Sequence, residues 1–224
     1  MTIRIISISD IHSKISSLQA ILAQAQRGSV PDLITVSGDI SDFGSGEEVE
    51  SVLRVVEASG IPFCYVLGNC DPKEFRKGVF VTGVCLDARC FSSNGMVFIG
   101  SGGSTPTPFG TPFEVEESEL LDNLGKLRSS CGSPAPMGLV LHNPPRGEIV
   151  DRTRSGLHVG SEGLRDLILE MEPLFVQCGH IHEAVGLELI GKSVVFNPGP
   201  AQRGRYAEVE IKDGSVNVVH RSVQ

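Results

Sequence analysis

The sequence predicts an α/β fold built on two packed sheets. Short β-branched apolar runs alternate with segments of helical spacing in the first and last thirds of the chain. Turn-bounded strand signals crowd the C-terminal part. Residues of metal-ligand type follow the apolar runs in five short islands, where an open α/β sheet holds its ligands.

Taken in order, residues 3–9 are a near-continuous β-branched run, expected of a strand buried on both faces. Residues 13–27 place Ile15, Leu18, Ile21, Leu22 and Ala25 at helical spacing, and Gly28 stops them. Residues 33–37 read as a second buried strand. Residues 46–59 read as a helix with Val49, Val52, Leu53 and Val56 on one face, and residues 62–67 as a third strand. This β-α-β-α-β opening demands parallel strands with right-handed crossovers. In the middle, residues 79–86 and 96–100 are expected strands. Residues 100–112 form a Gly/Ser/Thr/Pro-rich loop, longer than a mere connector requires. Residues 116–129 are helical through Leu120, Leu121, Leu124 and Leu127, and residues 130–136 are a turn-rich link. Residues 137–141 are a strand ending at His142. Residues 161–171 are a helix capped by Ser161, and residues 174–178 a strand ending at Gly179-His180. Residues 184–190, 193–197, 207–212 and 215–221 are strands and hairpins, with tight turns at Gly191-Lys192 and Asp213-Gly214. No repeat stands out, and residues 1–224 are read as one domain.

Composition narrows the function. At 40% hydrophobic and 21% charged residues the chain is ordinary globular protein. No apolar run approaches the roughly 20 residues of a membrane span. The N-terminus reads as a first strand without a signal-peptide cleavage site, so cytoplasmic residence is the default expectation. A formal net charge of −8 argues against a broad nucleic-acid groove, although bound divalent ions would offset it locally. Cys64, Cys70, Cys85, Cys90, Cys131 and Cys178 are expected to be reduced, mostly as small core residues. Their spacing contains no C-x-x-C pair, which argues against structural zinc.

The islands are Asp10-Ile11-His12, Gly38-Asp39, Gly68-Asn69-Cys70-Asp71, His142-Asn143-Pro144-Pro145 and Gly179-His180-Ile181-His182. In extended chain, residues i and i+2 point the same way, so Asp10 with His12, and His180 with His182, can each reach one ion. A lone Gly-Asp is usually a turn, and a lone His at an apolar edge usually belongs to the core. Five such islands, each at a strand end and together holding four of the six histidines, have no structural explanation. Asp10, His12, Asp39, Asn69, His142, His180 and His182 suffice for two divalent metals sharing one carboxylate, a device for hydrolysing phosphate esters.

In this order and combination the motifs Asp-x-His, Gly-Asp, Gly-Asn-x-Asp, His and Gly-His-x-His resemble the calcineurin-like metallophosphoesterase superfamily, over residues 3–200. The stretches Gly102-Gly103-Ser104-Thr105-Pro106-Thr107-Pro108-Phe109 and Asn197-Pro198-Gly199-Pro200 are similar to its prokaryotic branch of small, Icc-like phosphoesterases. The resemblance implies a four-layer α/β/β/α sandwich with two mixed β-sheets. It implies one metal on Asp10, His12, Asp39 and His182, a second on Asp39, Asn69, His142 and His180, and Asp39 as the bridge. A hydroxide bridging the metals would attack phosphorus in line, with no phosphoenzyme. Manganese, iron, nickel and zinc all suit the donor set.

Many members have His where this chain has Cys70, and a thiol is a poor general acid. Substrates with good leaving groups, or a proton donor from elsewhere, follow as the expectation, and His158 in the loop 152–161 is the spare imidazole. Arg154 and Arg203 are candidates for pairing with substrate phosphate. Asp71 is expected to hold a metal-ligating His in its tautomer. The expected activity is hydrolysis of small phosphodiesters. The alternatives are a phosphomonoesterase, or a non-catalytic protein-binding scaffold of the kind that usually loses ligands. Residues 109–113 would line either a substrate pocket or a contact between copies in a homo-oligomer.

Overall fold

The computed structural model describes residues 2–87, 89–131 and 136–223. Its strands are β1 (Thr2–Ile8), β2 (Leu33–Ser37), β3 (Phe63–Val66), β4 (Val84–Cys85), β5 (Phe91–Ser93), β6 (Met96–Ser101), β7 (Met137–Leu141), β8 (Phe175–Gln177), β9 (Gly186–Ile190), β10 (Ser193–Asn197), β11 (Arg205–Lys212) and β12 (Ser215–Ser222). The helices are α1 (Ile15–Ala25), α2 (Gly46–Glu57), α3 (Glu117–Cys131) and α4 (Glu162–Met171).

The strands form two six-stranded sheets, ordered β12-β11-β1-β2-β3-β4 and β5-β6-β7-β8-β10-β9. Both have a parallel centre; the second is flanked by antiparallel hairpins at both edges, whereas the first has the antiparallel β11-β12 hairpin at one edge and the parallel strand β4 at the other. Ile5, Leu33 and Val66 face Phe98, Val140, Phe175 and Phe196 across the space between the sheets. Ile6, Ile8 and Val36 turn the other way, under Leu18, Ile21, Val49 and Leu53 of α1 and α2. Leu120, Leu124, Leu164 and Ile168 cover the second sheet in the same manner. The expected four-layer α/β/β/α sandwich is therefore observed. It explains why the central strands lack alternation: both of their faces are apolar interfaces.

A buried polar ladder joins the sheets beneath the ligand-bearing ends. Ser7 Oγ lies 3.0 Å from Thr35 Oγ1, the Thr35 hydroxyl bonds Gln177 Oε1, and Gln177 Nε2 donates to the Ile8 carbonyl at 2.8 Å. The Ser37 hydroxyl donates to the Leu141 carbonyl. These bonds satisfy groups that burial would otherwise penalise, and they hold the ends of both sheets in one place.

Ser161 caps α4, its hydroxyl accepting from Leu164 N at 2.9 Å. Other expectations are corrected. The helix foreseen from residue 13 starts at Ile15, because Ser13 has φ 56, which no helix tolerates. The strand foreseen at 79–86 shrinks to Val84–Cys85, an edge strand pairing only through Cys64 and Tyr65. Residues 91–101 form a hairpin turning at Asn94-Gly95, both with positive φ, so a short strand β5 precedes β6. The helix foreseen at 116–129 runs to Cys131, and residues 132–135 of the expected link lie outside the described residues. The expectation that all cysteines are reduced fails: Cys90 and Cys131 form a disulfide, Cα atoms 6.2 Å apart. Folding brings the chain just before β5 beside the last residue of α3, and a separation of 41 residues shows no such proximity in the sequence. Cys64, Cys70, Cys85 and Cys178 are free and buried. Among the described residues, no helix is long and apolar enough to cross a membrane.

Candidate metal centre

All five islands leave the C-terminal ends of β1, β2, β3, β7 and β8. The turns after β1 and β2 run side by side: Asp10 N donates to the Gly38 carbonyl at 3.1 Å, and His12 N to the Asp39 carbonyl at 2.9 Å. Asp10, His12, Asp39 and His180 sit at φ 53, 44, 46 and 70, a left-handed conformation uncommon outside glycine. Side-chain direction, rather than local comfort, selects that backbone. Glycines make the crowding possible. A Cβ on Gly68 would strike the Asp39 amide and carboxylate, and one on Gly38 would strike the His142 ring.

Asp39 is the pivot. Its Oδ1 accepts the Cys70 amide at 2.8 Å and lies 3.4 Å from His142 Nε2. Its Oδ2 lies 3.6 Å from His12 Nε2. Asp10 Oδ1 accepts His180 N at 3.1 Å and is 3.4 Å from His182 Nε2, while Oδ2 takes the Ser9 hydroxyl at 2.6 Å. His12 and His182 turn their Nε2 atoms toward each other at 3.2 Å. One donor atom from each of Asp10, His12, Asp39 and His182 falls within 4.8 Å of the others.

On the other side of Asp39, His142 Nε2 is 2.8 Å from Asn69 Oδ1. His142 Nδ1 faces the Ser37 carbonyl at 2.9 Å and must donate to it. In the neutral ring Nε2 is then a lone pair directed at two oxygens, from Asn69 and Asp39. Acceptors converging on acceptors fit a cation between them. His180 packs edge-on against His142, ring centroids 5.2 Å apart, and joins this side less tightly.

The electrostatics agree. Burial alone would raise the Asp39 carboxyl, but His142 and His12 hold it well below the usual range. Asp10 is lowered likewise, burial being outweighed by His182 and His142. Burial would lower His142, yet Asp39 and Asp10 push it up to about 9. His180, buried beside His142, falls to about 4. The site thus prefers positive charge at its centre, which a proton supplies in part and a divalent ion supplies better.

Asp71 corrects an expectation. It does not orient an imidazole: it accepts the amides of Ile40 (3.0 Å), Ser41 (2.7 Å) and Gly68 (2.8 Å) and the Ser41 hydroxyl (2.8 Å). Burial and Asp39 raise its carboxyl to about 6 despite those donors. The imidazoles are oriented instead by the Ser37 carbonyl, for His142, and by Asp42, whose Oδ1 is 3.3 Å from His12 Nδ1. Sequence reading passed over Asp42, although its place three residues after Asp39 was a visible signal. Cys70 is buried at the centre, and burial and Asp39 raise its thiol, making it a weaker acid still.

His158, Arg154 and Arg203 stand apart. His158 Nδ1 bonds the fully buried Asp151 at 2.8 Å. Arg154 is exposed, and its amide donates to Glu183, next to His182, at 3.0 Å. Arg203 is exposed on a short 3₁₀ turn, where Gln202 N donates to the Asp10 carbonyl at 3.1 Å. Among the described residues, no hydrogen bond or ion pair joins these three side chains to the cluster.

The sequence profile of the calcineurin-like phosphoesterase family matches residues 3–184. An uncharacterized protein of Methanocaldococcus jannaschii is 33% identical over 202 residues, covering 88% of this chain and 88% of its own. A protein of a Synechococcus strain, named as a probable cyclic nucleotide phosphodiesterase, is 27% identical, covering 82% of this chain and 75% of its own. The crystal structure of a dimetal phosphatase from Danio rerio superimposes with TM-score 0.70 at 12% identity, covering 98% of this chain and 96% of that one, a likeness of fold.

Proposed function

The chain belongs to the calcineurin-like phosphoesterase family, and on that premise we propose that it hydrolyses small phosphodiesters at a pair of divalent metal ions. Metal-dependent hydrolysis of phosphoric esters is the activity of the family. The observation that carries the two-ion reading is the Asp39 carboxylate, with one oxygen toward His142 and the other toward His12. Asp10, His12, Asp39 and His182 would hold one ion, and Asp39, Asn69, His142 and His180 the other. Bound ions there acidify water and neutralise charge on the phosphoryl oxygens. Manganese, iron, nickel and zinc all suit these donors.

The protein's own groups supply the rest. Asp39 and Asp10 are ionised at neutral pH, and the second nitrogens of His12 and His142 are occupied by Asp42 and Ser37, so both rings present Nε2 to the site. Asp71 holds the turns after β2 and β3 in register. Cys70 is assigned no proton transfer. His158, held by Asp151 in the loop between β7 and α4, is the donor for the leaving group. That loop leaves the same sheet edge as His142, and its Arg154 amide is bonded to Glu183 beside His182. Arg154 and Arg203 are the residues assigned to pair with the phosphate, a reading supported by the Arg154 amide bonded to Glu183 and by Gln202, next to Arg203, bonded to the Asp10 carbonyl. The diester preference is supported by the raised Cys70 thiol, the net charge of −8 and the names of similar proteins.

Hydrolysis of bis-p-nitrophenyl phosphate and p-nitrophenyl phosphate, after chelation and re-addition of manganese, nickel, iron(II) or zinc, tests this reading. We expect metal-restored cleavage favouring the diester, falling on the order of 10³-fold in Asp39→Asn. Preferential monoester cleavage would select the phosphatase alternative. No cleavage with two ions bound per chain would favour a highly selective enzyme or the scaffold.

A further inference from the structure

Phe109 is 84% exposed at the tip of the loop between β6 and α3. An aromatic ring in water is costly to leave uncovered, and most phenylalanines of this chain avoid it, with Phe43, Phe80 and Phe109 the exceptions. The loop starts at the metal centre. β6 and β7 are parallel neighbours that end level, Ser101 opposite Leu141, and His142 N donates to the Ser101 carbonyl at 3.3 Å. Both stems are then tied to ligand-bearing segments. Thr105 N and Oγ1 donate to Asn143 Oδ1, next to His142, at 3.1 and 3.2 Å. On the returning side Phe113 N donates to the carbonyl of Asn69 at 3.0 Å. Phe109 is four positions from either anchor, Thr105 or Phe113, so its backbone lies within roughly 14 Å of both.

The tip is also held in shape. Glu114 accepts Thr107 Oγ1 at 2.6 Å, Thr111 N at 2.8 Å and Thr111 Oγ1 at 2.7 Å. Phe109 N donates to Thr107 Oγ1 at 3.1 Å. Pro106, Pro108 and Pro112 remove further freedom. An exposed ring on a pre-ordered loop loses little entropy when something flat covers it.

We propose that Phe109 is a stacking platform for an aromatic group esterified to the phosphate, making the substrate an aryl or nucleoside phosphodiester rather than an alkyl one. The inference rests on the phosphodiester reading above. Its test needs no turnover. The chain contains no tryptophan, so Phe109→Trp places a sole indole at the tip. Diphenyl phosphate and dimethyl phosphate, titrated into manganese-loaded protein, present the same anionic diester with and without rings. We expect saturable change of indole emission with diphenyl phosphate only. By calorimetry, Phe109→Ala should weaken diphenyl phosphate by about 5–30-fold and leave dimethyl phosphate unaltered, in line with measured stacking contributions. Phe80→Ala, an exposed ring whose neighbourhood is Arg54, should change neither. If the wild type binds both diesters and Phe109→Ala binds them as tightly, or loses both equally, the platform is overturned and the diester reading stands. If the wild type binds neither, the diester reading fails and the platform falls with it.

Discussion

The Asp71 carboxylate receives both the backbone amide of Ser41, at 2.7 Å, and the Ser41 hydroxyl, at 2.8 Å. With Ile40 N and Gly68 N added, one side chain ties the turn bearing Asp39 to the turn bearing Asn69. Removing it leaves several buried donors unpaired, so Asp71→Ala should cost about 3 kcal/mol of stability. It should weaken manganese about 10–100-fold, as loss of a supporting partner does. Asp71→Asn should show the same signs at smaller size. Urea unfolding and calorimetric metal titration check both, and unchanged metal affinity in the alanine variant would refute the positioning role.

His158 and Asp151 form a dyad outside the metal cluster. If His158 protonates the leaving group, its loss should matter in proportion to leaving-group basicity. His158→Ala should lower kcat about 100-fold for an alkyl leaving group and less than about 5-fold for p-nitrophenolate. Asp151→Asn should follow the same pattern more weakly. Equal losses on both ester types would show a structural role alone.

Asp87 supplies a pH dependence from a carboxylate outside the ligand set. Burial raises its carboxyl from 3.8 to about 6, against Gly102 N and Arg76, which favour the ionised form. The folded chain therefore keeps this proton to higher pH than the unfolded chain does. The associated stability is fully present below pH 3.8 and is lost as pH rises through about 6, a span of at most about 3 kcal/mol. Asp87→Asn keeps an acceptor for Gly102 N and should flatten this part of the profile. Urea denaturation of metal-free protein from pH 4 to 7 measures it, and an unaltered slope would contradict the assignment.

The Cys90–Cys131 bridge closes a separation of 41 residues. In the chain-entropy account a loop of that size stabilises by about 4 kcal/mol. Cys90→Ser with Cys131→Ser should lower the melting temperature, and reduction should bring the wild type down to the same value. Thiol labelling of unfolded, unreduced protein should find the cysteines other than Cys90 and Cys131. Labelling of those two as well would remove the bridge.

Much of the centre was legible because its elements are local. Asp10 with His12, and His180 with His182, come shortly after strands, where residue type and place are visible in the sequence. The expected extended i, i+2 convergence does not hold: Asp10, His12 and His180 are left-handed, and His180 packs on His142 while His182 meets Asp10 and His12. Asp71 and Asp42 were harder. A carboxylate two residues from a ligand looks the same in sequence whether it binds an imidazole or three amides, and only the approach of the β2 turn selects the amides. Gln177 read as one more residue of a buried strand, yet its side chain joins the sheets through Thr35 and Ile8.

By itself the sequence determined the strand–helix alternation, the doubly buried central strands and the ligand types at strand ends, because hydrophobic period and residue chemistry are local properties. The tertiary structure alone decided which Asp39 oxygen faces which histidine, which carboxylate holds backbone rather than ring, that Cys90 meets Cys131, and that the loop of Phe109 is anchored on Asn69 and Asn143. Each depends on chain segments far apart in sequence being packed against one another, and packing two sheets face to face is what sets those distances.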